Sequence, residues 1–166
     1  MNDIALAVAL HILAIVWWIG GVAMVTTVLL PAARAMADPR DGLAMFRRIE
    51  ERFAWHARAA TLLAGASGLY MILVLGLWPY FFVPSYWWLD AMVFVWALFT
   101  VVLFIAEPLF VDDWLAARST KAPAETLLLL QRLHWIALIL SVITVLGAAA
   151  GANGWAYLVK RVGLSL

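Results

Sequence analysis

Three histidines are the residues of this chain best suited to hold a metal or a haem. His11, His56 and His134 are its only histidines, and each lies in or beside a long apolar run of the 166-residue sequence. An ionisable side chain in hydrocarbon is costly and normally faces the interior of a helix bundle. Neutral imidazole is also a common metal ligand. Each histidine is therefore a candidate functional residue.

The apolar runs predict an integral membrane protein. Hydrophobic residues make up 67% of the chain and charged residues 13%, whereas about a quarter of a typical soluble domain is charged. Four segments are long enough to cross a bilayer, which takes roughly 20 residues of helix. We predict spans at about 4–30, 53–78, 87–110 and 127–157, forming one all-α four-helix bundle over residues 1–166. Asp41 is expected to cap a helix leading into the second span, and Pro123 to begin the fourth helix.

The basic residues predict the orientation of the bundle. All Lys and Arg residues except Lys160 and Arg161 lie in or next to the connections that follow the first and third spans. The positive-inside rule places these connections in the cytoplasm. Both termini are then periplasmic, and the predicted location is the bacterial inner (cytoplasmic) membrane.

The absence of cysteine removes several chemistries. A chain with no Cys has no disulfides, no thiolate metal sites and no c-type haem attachment through C-x-x-C-H. Zinc-type motifs, phosphate-binding glycine loops and nucleophile elbows are also absent from the sequence. We expect the lipid bilayer as the main partner and no nucleic-acid partner.

His56 and His134 are predicted to lie at a similar depth on the cytoplasmic side, with His11 ~20 Å away along the membrane normal at ~1.5 Å per residue. Two imidazoles from facing helices suit the axial positions of a b-type haem. Three arginines at the same level would bind its propionates: Arg52, Arg58 and Arg132. In the alternative, His56 hydrogen-bonds lipid headgroups and His134 bonds Glu107.

His11 has its own set of alternatives. It would ligate a second, outer haem, with Met92 as the other ligand or with an open position. It would instead bind copper with Met92 and Asp90, or simply hydrogen-bond Asp90. Small residues on its helix face are expected to leave room for a macrocycle, with a tryptophan as a wall: Ala7, Ala14, Gly21 and Trp18.

The first span carries a family resemblance. The stretch LHILAIVWWIGGVAMVTTVLLPAAR resembles the opening of the small membrane proteins grouped around the copper resistance protein D (CopD-like) domain and the HemJ-type protoporphyrinogen oxidases, with the pattern H-x(6)-W-x-G-G/A. The resemblance implies a four-helix membrane fold and matches His11 to the histidine that HemJ proteins need for haem b. Their W-L-x-x-K pattern departs here, because Met92 stands in place of the lysine.

Three functions follow from these patterns. The leading hypothesis is a haem b electron-transfer protein, with one or two haems, which as an enzyme would be a haem-dependent membrane oxidoreductase. Its redox partner would be a quinone, a cytochrome or a periplasmic protein. The second hypothesis is a copper-handling membrane protein of the CopD kind. The third is a haem-free structural subunit of a homo-oligomer or larger membrane complex.

Overall fold

The computed structural model describes residues 2–154, apart from the side chains of Asn2 and Asp112, and every regular element among them is helical. The α-helices are α1 (Asn2–Met24), α2 (Leu30–Arg34), α3 (Pro39–Val74), α4 (Trp87–Val101), α5 (Asp112–Lys121) and α6 (Pro123–Ala152). Two π-helical segments interrupt them: the first π segment is Val25–Leu29 and the second is Val102–Val111. Short 3₁₀ turns at Trp78–Tyr80 and Pro84–Tyr86 join α3 to α4.

Four continuous helical stretches are long and apolar enough to cross a membrane. They are Asp3–Arg34, Pro39–Val74, Pro84–Val111 and Pro123–Ala152. For the described residues the predicted all-α fold is therefore confirmed, and they contain the predicted number of helices long and apolar enough to span a membrane. The last residues of the predicted fourth span, 155–157, lie outside the described part of the chain.

The helix boundaries differ from the sequence prediction at three points, one of which is the end of α6 at Ala152, where the span was predicted to reach about residue 157. Asp38, and not Asp41, caps α3, because its carboxylate accepts a hydrogen bond from the Arg40 N–H at 2.8 Å. The same helix ends at Val74, and Gly76 follows it with a φ of +63°, a left-handed conformation that glycine adopts without steric cost. The start of α6 at Pro123 agrees with the prediction.

Two buried clusters hold the bundle together. We call the end of the bundle that carries the α2–α3 and α5–α6 connections the basic end. One cluster lies toward this end and comprises Val25, Leu29, Leu30, Ala33, Leu43, Phe46, Leu115, Leu127 and Leu130. The second comprises Ala14, Trp18, Val22, Ala60, Ala64, Val95 and Leu138. The first turns of α3, predicted to extend beyond the membrane span, therefore pack as part of the core.

Aromatic side chains fill the space beside the glycines of the bundle. The Phe53 ring lies against Gly21 and the Trp96 ring against Gly65, so closely that a Cβ at either glycine would overlap the ring. Trp87 and Trp88 pack in the same way on glycines of α6. Small residues in membrane helices allow such close approach. The gap predicted at Gly21 for a macrocycle is therefore occupied by Phe53.

Candidate functional site: the histidines and an arginine–glutamate pair

His11 is held against α3 by two contacts at one ring nitrogen. Its Nδ1 lies 3.0 Å from the Ala64 carbonyl oxygen and 3.0 Å from Ser67 Oγ. A Cβ on Gly68 would come within 3.2 Å of His11 Cε1, so the backbone of α3 also approaches the ring closely. The imidazole is partly buried, and both Ala64 and Ser67 are buried.

These contacts assign the tautomer of His11. A carbonyl oxygen only accepts hydrogen bonds, so Nδ1 must carry the proton that Ala64 receives. Ser67 directs its own hydroxyl proton to the Leu63 carbonyl at 2.6 Å, which leaves its lone pairs facing Nδ1. The free lone pair of His11 is therefore on Nε2. Metal-bound histidines are commonly fixed in this way, with the other ring nitrogen donating to a carbonyl.

Met92 lies at the level of His11, whereas Asp90 is engaged elsewhere. Trp18 of α1 meets Phe99 of α4 edge-to-face with ring centroids 4.7 Å apart. His11 and Met92 each lie two turns before these residues on the same helices, so they are at a similar level. Asp90 accepts the Phe82 N–H at 3.2 Å on both carboxylate oxygens.

This Asp90 bond belongs to the α3–α4 connection. Phe82 there has a φ of +61°, so Asp90 holds a turn in the left-handed region, where a non-glycine residue needs support. The predicted alternative of a His11–Asp90 hydrogen bond is therefore wrong, because Ala64 and Ser67 are the partners of His11.

His56 and His134 are not brought together. The His134 ring meets Phe46 edge-to-face at 6.1 Å, and the His56 ring lies 5.8 Å from Trp17. Phe46 and His56 both belong to α3 and are ten residues apart, which is ~15 Å along a helix. The prediction of a similar depth is therefore wrong, because the first turns of α3 pack beside α6 and place His134 closer than His56 to the basic end of the bundle.

The surroundings of these two histidines also differ from the prediction. His56 is exposed and does not face the bundle interior, and its Nδ1 contacts the Arg52 carbonyl of its own helix at 3.2 Å. His134 is partly buried, and its Nδ1 contacts the Leu130 carbonyl at 2.9 Å. The Glu107 carboxylate lies beside Arg58, and the alternative of a His134–Glu107 bond stays a prediction.

The predicted propionate-binding arginines occupy different settings. Arg52 and Arg132 are exposed. Arg58 lies 3.4 Å from Glu107, measured from Nη2 to Oε2, with the two side chains 25% and 17% exposed. All three lie on the basic-end side of the His11 contact with α3, so they do not surround His11.

The Arg58 guanidinium also replaces a backbone hydrogen-bond donor that is missing at a proline. In a π-helix the carbonyl of Leu103 would accept from the N–H five residues later, and that residue is Pro108, which has no N–H. The Arg58 Nε–H donates to the Leu103 carbonyl instead, at 3.0 Å. Arg58 thus donates a hydrogen bond to a backbone oxygen of the second π segment and also forms an ion pair with Glu107.

In the first π segment a neutral side chain replaces the N–H that a proline lacks. The Leu30 N–H bonds the Val25 carbonyl five residues earlier, and the next such bond, to Thr26, is lost at Pro31. The Gln131 Nε2–H donates to the Thr26 carbonyl at 2.7 Å. Both Gln131 and Thr26 are buried, so this carbonyl is sealed inside the bundle.

Sequence reasoning missed both of these carbonyl contacts. A proline inside an apolar span does signal an unpaired carbonyl one turn earlier. Which carbonyl it is depends on whether the local helix is α or π, and neither Arg58 nor Gln131 is recognisable as its partner without the packing of the helices.

In a comparison with known proteins, no protein-family model, characterised protein or solved structure matches the chain. The CopD-like and HemJ-like resemblance of the first span therefore remains a prediction from the sequence.

Proposed function

We propose that this chain is a haem b redox protein of the bacterial inner membrane, in which His11 would hold the haem iron. The observation that carries the proposal is the clamp on His11 Nδ1, made by the Ala64 carbonyl and Ser67 Oγ at 3.0 Å each. A histidine that needed only a partner in lipid would be satisfied by one such bond. Two acceptors on the same nitrogen fix the ring and leave Nε2 as a neutral donor to a metal.

The residues fit a haem at the donor atom and at the level of the second ligand. Nitrogen ligation suits haem iron, and Met92, at the depth of His11, would offer a thioether as a second ligand. The bundle interior does not provide a slot for the macrocycle, since Phe53 fills the space beside Gly21 and Ala14 is fully buried. A haem would therefore have to attach at the side of the partly buried His11 ring that is not packed on α3.

The chain's own residues would tune and insulate this site. A bound haem would supply one-electron transfer. Hydrogen bonding at Nδ1 makes Nε2 a stronger donor and fixes the ring orientation. The buried indole of Trp18, 3% exposed and packed on Phe99, excludes water from the bundle on the basic-end side of His11. Low polarity around the ligand favours the less charged oxidation state of the iron.

The orientation is part of the proposal. The basic residues at the α2–α3 and α5–α6 connections favour a cytoplasmic basic end, so both termini would face the periplasm and His11 would lie near the periplasmic side. Electrons would then pass between a membrane donor and an acceptor at that surface. A periplasmic reporter enzyme is expected to be active when fused after Leu166 and inactive when fused in the Arg34–Arg52 region.

An absorption spectrum and metal analysis of the purified chain test the proposal. We expect a Soret band, and split α and β bands after reduction with dithionite, with about one haem per chain. A colourless protein with bound copper would instead support the copper-handling hypothesis. A colourless, metal-free protein that purifies only with other chains would support the structural-subunit hypothesis, and either result would contradict the haem proposal.

A further inference from the structure

The Arg58–Glu107 pair borders a groove on the outside of the bundle. The groove has a volume of about 410 Å³ and lies between α3 and the second π segment. Trp55, Arg58 and Ala59 line it on one side, and Phe104 and Pro108 line it on the other. Trp55 is 74% exposed and Phe104 37% exposed, so the groove opens sideways, toward the position of the bilayer.

One polar group stands in this otherwise apolar groove. A guanidinium carries five N–H donors; Arg58 donates its Nε–H to the Leu103 carbonyl, and its Nη2 forms an ion pair with Glu107 at 3.4 Å. Donors on the outer edge of the guanidinium therefore remain for a ligand. The neighbouring carboxylate offsets the positive charge of Arg58, so the groove favours a neutral hydrogen-bond acceptor over a phosphate anion.

We propose that this groove binds the headgroup of a membrane quinone. A quinone ring is flat, neutral and carries carbonyl acceptors, which matches aromatic and proline walls with one guanidinium donor. Its isoprenoid tail would stay in the bilayer through the lateral opening. The volume suits a single substituted ring, because small-molecule sites begin at roughly 300 Å³. The second π segment supports the assignment independently, since π-helical turns occur frequently at functional sites.

This inference does not depend on haem binding. His11 does not line the groove, so quinone binding is expected whether or not the chain carries haem. The binding is expected to survive in His11→Ala. The two proposals can therefore fail separately.

The test is a titration of the full chain in phosphatidylcholine nanodiscs with short-tailed ubiquinone, followed by quenching of tryptophan fluorescence. We expect saturable binding. Ala59→Phe places a ring in the groove from an exposed position of α3 and should weaken binding at least ~10-fold, where ~10-fold corresponds to ~1.4 kcal/mol. Ala66→Phe is the matched control, two turns further along the same face of α3 and also exposed, and should bind as the wild type does.

A second variant tests the donor. Arg58→Gln keeps an N–H for the Leu103 carbonyl but removes the guanidinium, and it should weaken quinone binding about tenfold. Equal affinity in wild type and Ala59→Phe, or quenching that rises without saturation, would overturn the proposal. Loss of quinone binding when phosphatidylglycerol is added to the nanodiscs would also overturn it and assign the groove to an anionic lipid.

Discussion

The two π segments solve the same backbone problem with side chains of different charge. In each, a proline removes the N–H that a carbonyl five residues earlier would receive, and a side chain from a neighbouring helix donates instead. Gln131 serves the Thr26 carbonyl at 2.7 Å in a fully buried setting. Arg58 serves the Leu103 carbonyl at 3.0 Å from a partly exposed one.

The difference between the two π segments shows where the chain has N–H donors available for a ligand. An amide has two N–H donors, and Gln131 is enclosed among buried residues such as Thr26 and Leu130. A guanidinium has five donors and brings a charge that Glu107 must balance. The first π segment therefore closes the bundle, whereas the second leaves polar groups at the wall of an open groove.

Arg58→Leu should give the largest effect. It leaves the Leu103 carbonyl without its donor and the Glu107 carboxylate without its cation, which costs ~2–4 kcal/mol once partial exposure is allowed for. Thermal unfolding in detergent, followed by circular dichroism, is the measurement. Arg52→Leu, an exposed arginine of the same helix, is the control and should change stability little. Equal loss in both variants would show that the Arg58 contacts contribute nothing.

Gln131→Leu should cost less, ~1–2 kcal/mol, in the same unfolding experiment. The variant loses one neutral hydrogen bond to the Thr26 carbonyl. It also removes the Gln131 Oε1 atom, which is buried without a hydrogen-bond partner among the described residues, and this gain offsets part of the loss. A greater loss of stability than in Arg58→Leu would reverse the order of the two segments.

Pro108→Ala should change stability least. Combined with a substitution of Arg58, it tests whether the proline and the arginine act on the same carbonyl. The restored N–H allows the second π segment to satisfy its own Leu103 carbonyl, so Arg58→Leu should destabilise the protein less in the Pro108→Ala background than in the wild type. We expect a coupling energy of ~1 kcal/mol in the double-mutant cycle. Strictly additive effects would mean that the proline and the arginine act independently.

Much of the fold followed from periodicity in the sequence, but the placement of the histidines did not. The four long apolar helices and the start of α6 at Pro123 were predicted correctly. His56 was expected to face the interior and is exposed. Helical spacing shows which residues share a face, but not which face packs against the other helices. In α3 the buried face contains Ala57 and Ala60, and His56 lies outside it.

The relative depth of His56 and His134 also could not be predicted from the sequence. Counting residues from the predicted span ends gave similar levels for His56 and His134, because the amphipathic first turns of α3 were placed outside the span. In the structure Phe46 is fully buried and contacts His134. The register of packed helices depends on such side-chain contacts between them, which hydropathy along one helix does not contain.

The central claim is that His11 is the haem ligand of this chain, and haem content per chain in three histidine variants tests it most directly. His11→Ala should lose its haem and the split α and β bands, because the Nε2 donor is removed. His56→Ala and His134→Ala, matched substitutions at the other two histidines, should keep wild-type haem content and spectra. Retention of full haem in His11→Ala, with loss in either of the other two variants, would contradict the account and leave His11 as a structural histidine bonded to Ala64 and Ser67.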